Sequence, residues 1–273
     1  MTNKTDHTEH GHGIECNINW KLTDLCANIS RIIYKDKDTV VKYLKKHKIK
    51  YSSVKFFDND NAEGYGIVMH DYIIIAFRGT GAQDDGEFSV SAAFKDFLAD
   101  IKAWPSESET QGSVHSGFKG EIDKLYPQVI KWLGKKITTK KLVITGHSLG
   151  AAMATICASR LHELGADLVL YTYGSPRVGD GFWAKQFDDI ETYRIVNNND
   201  IVCRVPPFGL YTHVGFLHYI TYDLHVKTNM TPWQRFLDRL KGTFKAFSKF
   251  QMFDAIYDHP GGQYVKKLKK ARK

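Results

Sequence analysis

Long hydrophobic runs are missing from this chain. No stretch approaches the roughly 18 consecutive apolar residues of a membrane-spanning helix, and runs such as YIIIAF are strand-sized. The expectation is a chain that at most rests on a membrane surface. Cysteine is also scarce: Cys16, Cys26, Cys157 and Cys203 show neither CxxC nor Cys/His zinc spacing, and four in 273 residues do not make a disulfide framework. Free thiols are expected, with Cys157 a small core residue inside an apolar helix. The N-terminal MTNKTDHTEHGHGIEC lacks the apolar segment of a secretory signal. That fits a cytoplasmic protein, or a secreted one written without its signal. Although His7, His10 and His12 lie there, no Cys or carboxylate geometry closes a metal site around them. Residues 1–17 therefore read as a disordered polar tail, and neither metal nor organic cofactor is expected.

What is present is apolar material enough for a large core, with 42% hydrophobic and 13% aromatic residues. Residues 18–273 read as a single domain. Lys and Arg total 38 against 30 for Asp and Glu, a formal charge of +8. The excess sits in KYLKKHKIK and KKLKKARK, which serve equally as solvated helix faces or as a patch for anions. A nucleic-acid reading would rest on this charge alone, with no binding motif behind it, and no nucleic acid is expected.

Apolar positions in WKLTDLCANISRIIY and DTVVKYLKKH recur at three and four residues, predicting two helices. YGIVMH and YIIIAFRG, separated by His70 and Asp71, predict a hairpin or meander. Further strands are predicted at LVITG, LVLYTYG, TYRIVNN and HVGFLHYITY. Helices are predicted at SGFKGEIDKLYPQVIKWLGKK, with Pro127 a candidate kink, at LGAAMATICASRLHEL, ending at Gly165, and at GFWAKQF. Strands alternating with helices predict an α/β fold, a mostly parallel sheet covered on both faces, with its site at the C-terminal strand ends.

GHSLG, Gly146 to Gly150, fits GxSxG between a buried strand and a small-residue helix. The glycines permit a sharp turn that lifts the Ser148 hydroxyl above the sheet edge, and the helix N-terminus stabilises negative charge beside it. A structural glycine turn is the competing reading, and the flanking LVIT and LGAAMATICA favour a nucleophile. Such a serine needs a histidine to take its proton and a carboxylate to orient that histidine, in the order Ser, acid, His. Asp200 ends TYRIVNNND in a loop leaving a predicted strand. Asp180, Asp188 and Asp189 lie on or beside a helix and read as solvated; Asp223 is the next competitor. Among histidines after Asp200, His213 and His218 fall inside a predicted strand, whereas His225 and His259 are loop candidates, with His259 slightly ahead on pattern.

The segments FRGT, VHSGF, GHSLGA, YGSPRVGD, VNNNDIVCRVPP and DHPGGQY, in this order and at comparable intervals, resemble those of the class 3 lipases. That is the α/β-hydrolase family of filamentous-fungal triacylglycerol lipases, and the resemblance covers roughly residues 20 to 270. It implies Ser148 as nucleophile, Asp200 as acid and His259 as base, with His213 a histidine outside the triad. Cys203 stands where the family segment often has its first proline, a departure that touches loop shape rather than the carboxylate. The oxyanion hole would be formed by the N–H of Leu149 and by Thr80, through its N–H and hydroxyl, with Arg78 buttressing the loop.

The resemblance also implies a lid directly after Thr80. Asp85 to Ala93 would be its moving part and Phe88, Val90, Phe94 and Phe97 its apolar face, although residues 94 to 104 serve as readily as an ordinary amphipathic core helix. A second amphipathic segment, TPWQRFLDRLKGTFKAFSKF, sets Trp233, Phe236, Leu240, Phe244 and Phe247 opposite Arg235, Arg239, Lys241, Lys245 and Lys249. It suits a transient interface with anionic lipid, but packing beside the site is the stronger expectation. The function expected is hydrolysis of acyl-glycerol esters through an acyl-enzyme on Ser148. The alternatives are a phospholipase A1, a feruloyl-type esterase, and an inactive lipase-like scaffold that binds a membrane or partner.

Overall fold

In a computed structural model of the chain, which describes residues 17–80, 104–228, 230–247 and 258–272, the apolar runs form the middle of one eight-stranded sheet. Strands β1 (Ser53–Asn59), β2 (Ala62–Val68) and β3 (Tyr72–Phe77) make an antiparallel meander. A ribbon of β4 (Pro105–Glu107) and β5 (Ser113–His115) lies outside the main sheet. Next to β3, and parallel to it, run β6 (Lys141–His147), β7 (Leu168–Tyr173), β8 (Glu191–Asn197) and β9 (Phe216–Ile220). The antiparallel β10 (Val226–Thr228) closes the edge.

Alternate residues of these strands feed two separate cores, because successive side chains of a strand point to opposite faces. Ile73, Ile75, Phe77, Leu142, Ile144 and Leu170 pack with α3 (Ser116–Leu133) and α4 (Leu149–Glu163) on one face. Ile74, Ala76, Val143, Tyr171, Tyr193 and Ile195 pack on the other. There they meet α1 (Trp20–Ile32), α2 (Lys37–Lys46) and α6 (Gly261–Ala271), while α5 (Pro232–Phe247) follows β10. Covering both faces explains why β6 and β7 are almost unbroken apolar runs rather than alternating ones. Side-chain caps start the first two helices: Asn19 accepts the Leu22 N–H at 3.1 Å and Asp36 the Thr39 N–H at 2.9 Å.

The α/β sheet flanked by helices matches the fold expected from sequence, and three local readings change. SVKFFDN, not expected as a strand, is β1; only Phe57 of this edge strand is buried, so its apolar pattern is weak. The strand expected from His213 begins at Phe216, because Gly215 takes a φ of 73° just before it. GFWAKQF is one α-turn, Gly181–Ala184, followed by a 3-10 turn. α3 runs through Pro127, as the sequence pattern has it, and is capped at Gly134. Within the described residues no helix is long and apolar enough to cross a membrane. Cys26, Cys157 and Cys203 are buried free thiols. The tail at residues 1–16 and the lid residues Phe88, Val90, Phe94 and Phe97 lie outside the described residues.

Candidate active site

β6 ends one residue before Ser148, and α4 begins one residue after it. So abrupt a change of direction forces Ser148 to φ 61° and ψ −130°, a conformation that a non-glycine residue adopts only when its surroundings impose it. Gly146 and Gly150 make room. A Cβ on Gly146 would lie 2.1 Å from the Gly150 carbonyl oxygen, and one on Gly150 would lie 2.1 Å from that of Phe77. Since β3 and β6 are level at the Phe77–Gly146 pair, the loop after β3 reaches the same height as Ser148. A Cβ on Gly79 would meet the Ser148 Cβ at 3.2 Å, so the backbone just ahead of Thr80 passes close to the serine.

Three of the residues singled out from sequence come together here. His259 Nδ1 lies 3.0 and 2.9 Å from the two carboxylate oxygens of Asp200, and its Nε2 lies 2.8 Å from Ser148 Oγ. A carboxylate only accepts, so Nδ1 carries the proton and Nε2 is free to accept the serine's. All three residues are at most 2% exposed. Burial pushes the Asp200 carboxyl up, but the adjacent His259 and the hydrogen bonds from His259 and Tyr264 together hold it below the ordinary carboxylate value. The arrangement can pass a proton from the hydroxyl to the imidazole while an anionic carboxylate balances the resulting charge.

Leu149 and Thr80 are the residues that the sequence offers as oxyanion donors. Leu149 opens α4, so its N–H has no acceptor within the helix. Thr80 Oγ1 is buried and has no hydrogen-bond partner among the described residues. A buried hydroxyl without a partner costs free energy in the resting protein. Arg78 pairs with Glu63 of β2 at 2.5 Å and sits over the Tyr34 ring, so it braces the loop instead of facing the serine.

Several supporting residues were not singled out from sequence. The Tyr264 hydroxyl, from α6, donates to Asp200 Oδ2 at 2.6 Å and accepts the Asn197 N–H at 3.1 Å. Asp258 fixes the turn ahead of His259: its carboxylate accepts the Asn199 N–H and the Lys267 ammonium, and its carbonyl accepts from Asn197 Nδ2. His147 lies under the site with Nε2 2.6 Å from the His259 carbonyl oxygen, so Nε2 carries its proton and Nδ1 accepts from the Tyr34 hydroxyl at 3.1 Å. Burial and the neighbouring His259 hold His147 down to about 3, keeping it neutral. Gly174, at φ 59°, lets the chain pass behind the pair; a Cβ there would lie 2.8 Å from Asp200 Oδ2. The signal for Tyr264 was its place in DHPGGQY. For His147 and Tyr34, 113 residues apart, local pattern carried none.

The competing residues lie elsewhere. His225 is exposed and pairs with Asp223 at 3.3 Å. His213 Nε2 lies 2.8 Å from the Cys203 carbonyl oxygen, and His218 is buried beside Trp20. Asp180, expected to be solvated, is half-buried and accepts the N–H groups of Trp183 and Ser113. The local reason is that it caps the helical turn at Gly181–Ala184.

Comparison with known proteins gives a match to the family described as lipase (class 3) over residues 74–210. The lipase of Rhizomucor miehei is 34% identical over 165 residues, 55% of this chain and 42% of that protein. The secreted mono- and diacylglycerol lipase 1 of Fusarium solani is 42% identical over 110 residues, 37% of this chain and 32% of that protein. The chain thus matches less than half the length of these curated relatives. Among solved structures, the Rhizomucor miehei triacylglyceride lipase superposes with a TM-score of 0.62 at 24% identity, covering 76% of this chain and 83% of that one. At that identity the superposition shows the shared fold.

Proposed function

The chain belongs to the class 3 lipase family, and from that premise we propose that it hydrolyses carboxylic esters of acyl-glycerol lipids through an acyl-enzyme on Ser148. The observation that carries this reading is the unbroken hydrogen-bonded line from Ser148 Oγ through His259 to Asp200. Related proteins named as a lipase and as a mono- and diacylglycerol lipase support lipid esters as the substrate class.

In this mechanism Ser148 Oγ attacks the ester carbonyl carbon as His259 Nε2 takes its proton. The oxyanion is stabilised by the N–H groups of Leu149 and Thr80 and by the Thr80 hydroxyl. Collapse breaks the acyl–oxygen bond, and the leaving alcohol takes the proton from His259. Water, deprotonated by the same Nε2, then attacks the acyl carbon, and the second collapse returns the proton to Ser148 and releases the fatty acid. Asp200 keeps Nδ1 protonated and balances the imidazolium in both halves, while Tyr264 holds the carboxylate in place.

The test is hydrolysis of short and medium p-nitrophenyl esters, followed by tri-, di- and monoglycerides, by wild type and Ser148→Ala. Turnover by wild type that the variant lacks supports the proposal. Equal background rates for the two proteins refute it.

A further inference from the structure

α5 stands between β10 and the turn that carries His259, and its inward side is the polar one. The Asp238 carboxylate, buried, accepts the Tyr222 N–H at 3.1 Å, and Thr243 Oγ1 accepts from Asn199 Nδ2 at 3.2 Å. At Gly242 the helix approaches so closely that a Cβ would lie 2.9 Å from Asn198 Nδ2. These contacts seat α5 on the loops that follow β8 and β9. The first of these loops carries Asp200, so α5 lies at the active-site end of the sheet.

Its outward side reverses the usual pattern of a surface helix. Trp233 is 65% exposed, Phe236 46% and Leu240 43%, and the Trp233 and Phe236 rings stack with centroids 5.4 Å apart. Contiguous apolar surface of this kind is unfavourable in water and marks a place where something docks. Cationic groups surround it. Lys241 is exposed on the helix, Arg204 is exposed on the loop after Asp200, and Arg204 and Arg235 both act on the charge of half-buried Arg239. Gathering like charges beside exposed aromatics is unfavourable for the isolated protein and favourable against an anionic surface. Aromatic rings at the level of lipid headgroups, flanked by Lys and Arg, are the composition of a helix lying in a membrane interface.

We propose that the outward face of α5 docks the protein on an anionic lipid bilayer, with Trp233, Phe236 and Leu240 entering the headgroup boundary and the flanking arginines and Lys241 meeting lipid phosphates. As the route by which substrate reaches Ser148, this rests on the hydrolase reading, whereas the docking itself needs no turnover.

The experiment uses the full chain carrying Ser148→Ala, so that binding is read without hydrolysis. Co-sedimentation is measured with phosphatidylcholine vesicles, with and without phosphatidylserine, at low and high salt. The parent should bind the phosphatidylserine vesicles at least about tenfold more tightly than the neutral ones at low salt. Adding Trp233→Glu and Leu240→Glu should weaken that binding at least about tenfold without changing the thermal midpoint, and Lys241→Glu should weaken it chiefly at low salt. Equal sedimentation by the parent and the double variant overturns the proposal, as does a parent that ignores phosphatidylserine vesicles. A parent dimer that the double variant dissociates, with no vesicle binding, overturns it in favour of a second copy on this face. Vesicle binding that depends on α5, together with a wild-type chain that hydrolyses no ester, would sustain the docking and remove the hydrolase reading.

Discussion

Lowering the pH from 7 to 5 should destabilise the fold steeply, and the structure fixes the sign and scale. His147 and His218 are 2% and 0% exposed and are held at about 3 and about 4, against 6.5 for a free histidine, in both cases mainly by burial. Between those values and 6.5 the unfolded chain binds more protons than the folded one. The stability these rings contribute is therefore present above pH 6.5 and lost as the pH falls towards the folded values. At pH 5 each ring forfeits about 2 kcal/mol relative to pH 7, so the two together remove about 4 kcal/mol. His213, held well below its ordinary value by burial and by Arg194 and Arg177, acts in the same direction. Asp200, held low, loses its contribution only below about 3.8, outside this window. Asp238, raised by burial, opposes the trend. Urea unfolding at pH 7, 6 and 5 measures the slope. A companion series on His218→Asn should show a pH dependence flatter by about 2 kcal/mol, whatever the variant does to stability at pH 7. A stability that is level or rising between pH 7 and 5 would refute the reasoning.

Replacing Thr80 by Val removes a buried hydroxyl that has no partner among the described residues. Its kcat/KM on a soluble ester should fall about 100-fold with the thermal midpoint unchanged or raised; unaltered kinetics would remove the hydroxyl from the oxyanion site. Tyr264→Phe deletes the donor to Asp200 and orphans the Asn197 N–H. It should lower stability by about 2–4 kcal/mol and slow turnover, and a thermal midpoint equal to wild type would contradict the hydrogen bonding described. His259→Ala should reduce ester hydrolysis to the Ser148→Ala level while His225→Ala retains most of it, as a side-by-side rate measurement on one soluble ester would show; the reverse ranking would mean that the proton acceptor is elsewhere.

The central strands were legible because both faces of the sheet are covered, which leaves dense β-branched runs such as YIIIAF and LVIT. β1 was not, since an edge strand with one fully buried side chain carries almost no alternation. Ser148 announced itself through close steric demands that local sequence records as glycines. Asp200 and His259 needed the family resemblance as well, because their meeting across 59 residues depends on the fold, not on a local period. The same limit hid His147 and Tyr34. For α5 the sequence showed two faces but not which one turns inward: packing of the apolar face was the stronger expectation, yet Asp238 and Thr243 make the inward contacts and Trp233 and Leu240 stay exposed.

The proposed acyl-enzyme can be examined at the atom it requires. Incubation with a fluorophosphonate, followed by intact mass and peptide mapping, reads which hydroxyl is activated. The account predicts one adduct per chain, on Ser148, absent in Ser148→Ala and formed far more slowly in His259→Ala. A folded wild-type protein that gains no adduct, or gains it on another residue at the same rate in both variants, would contradict it.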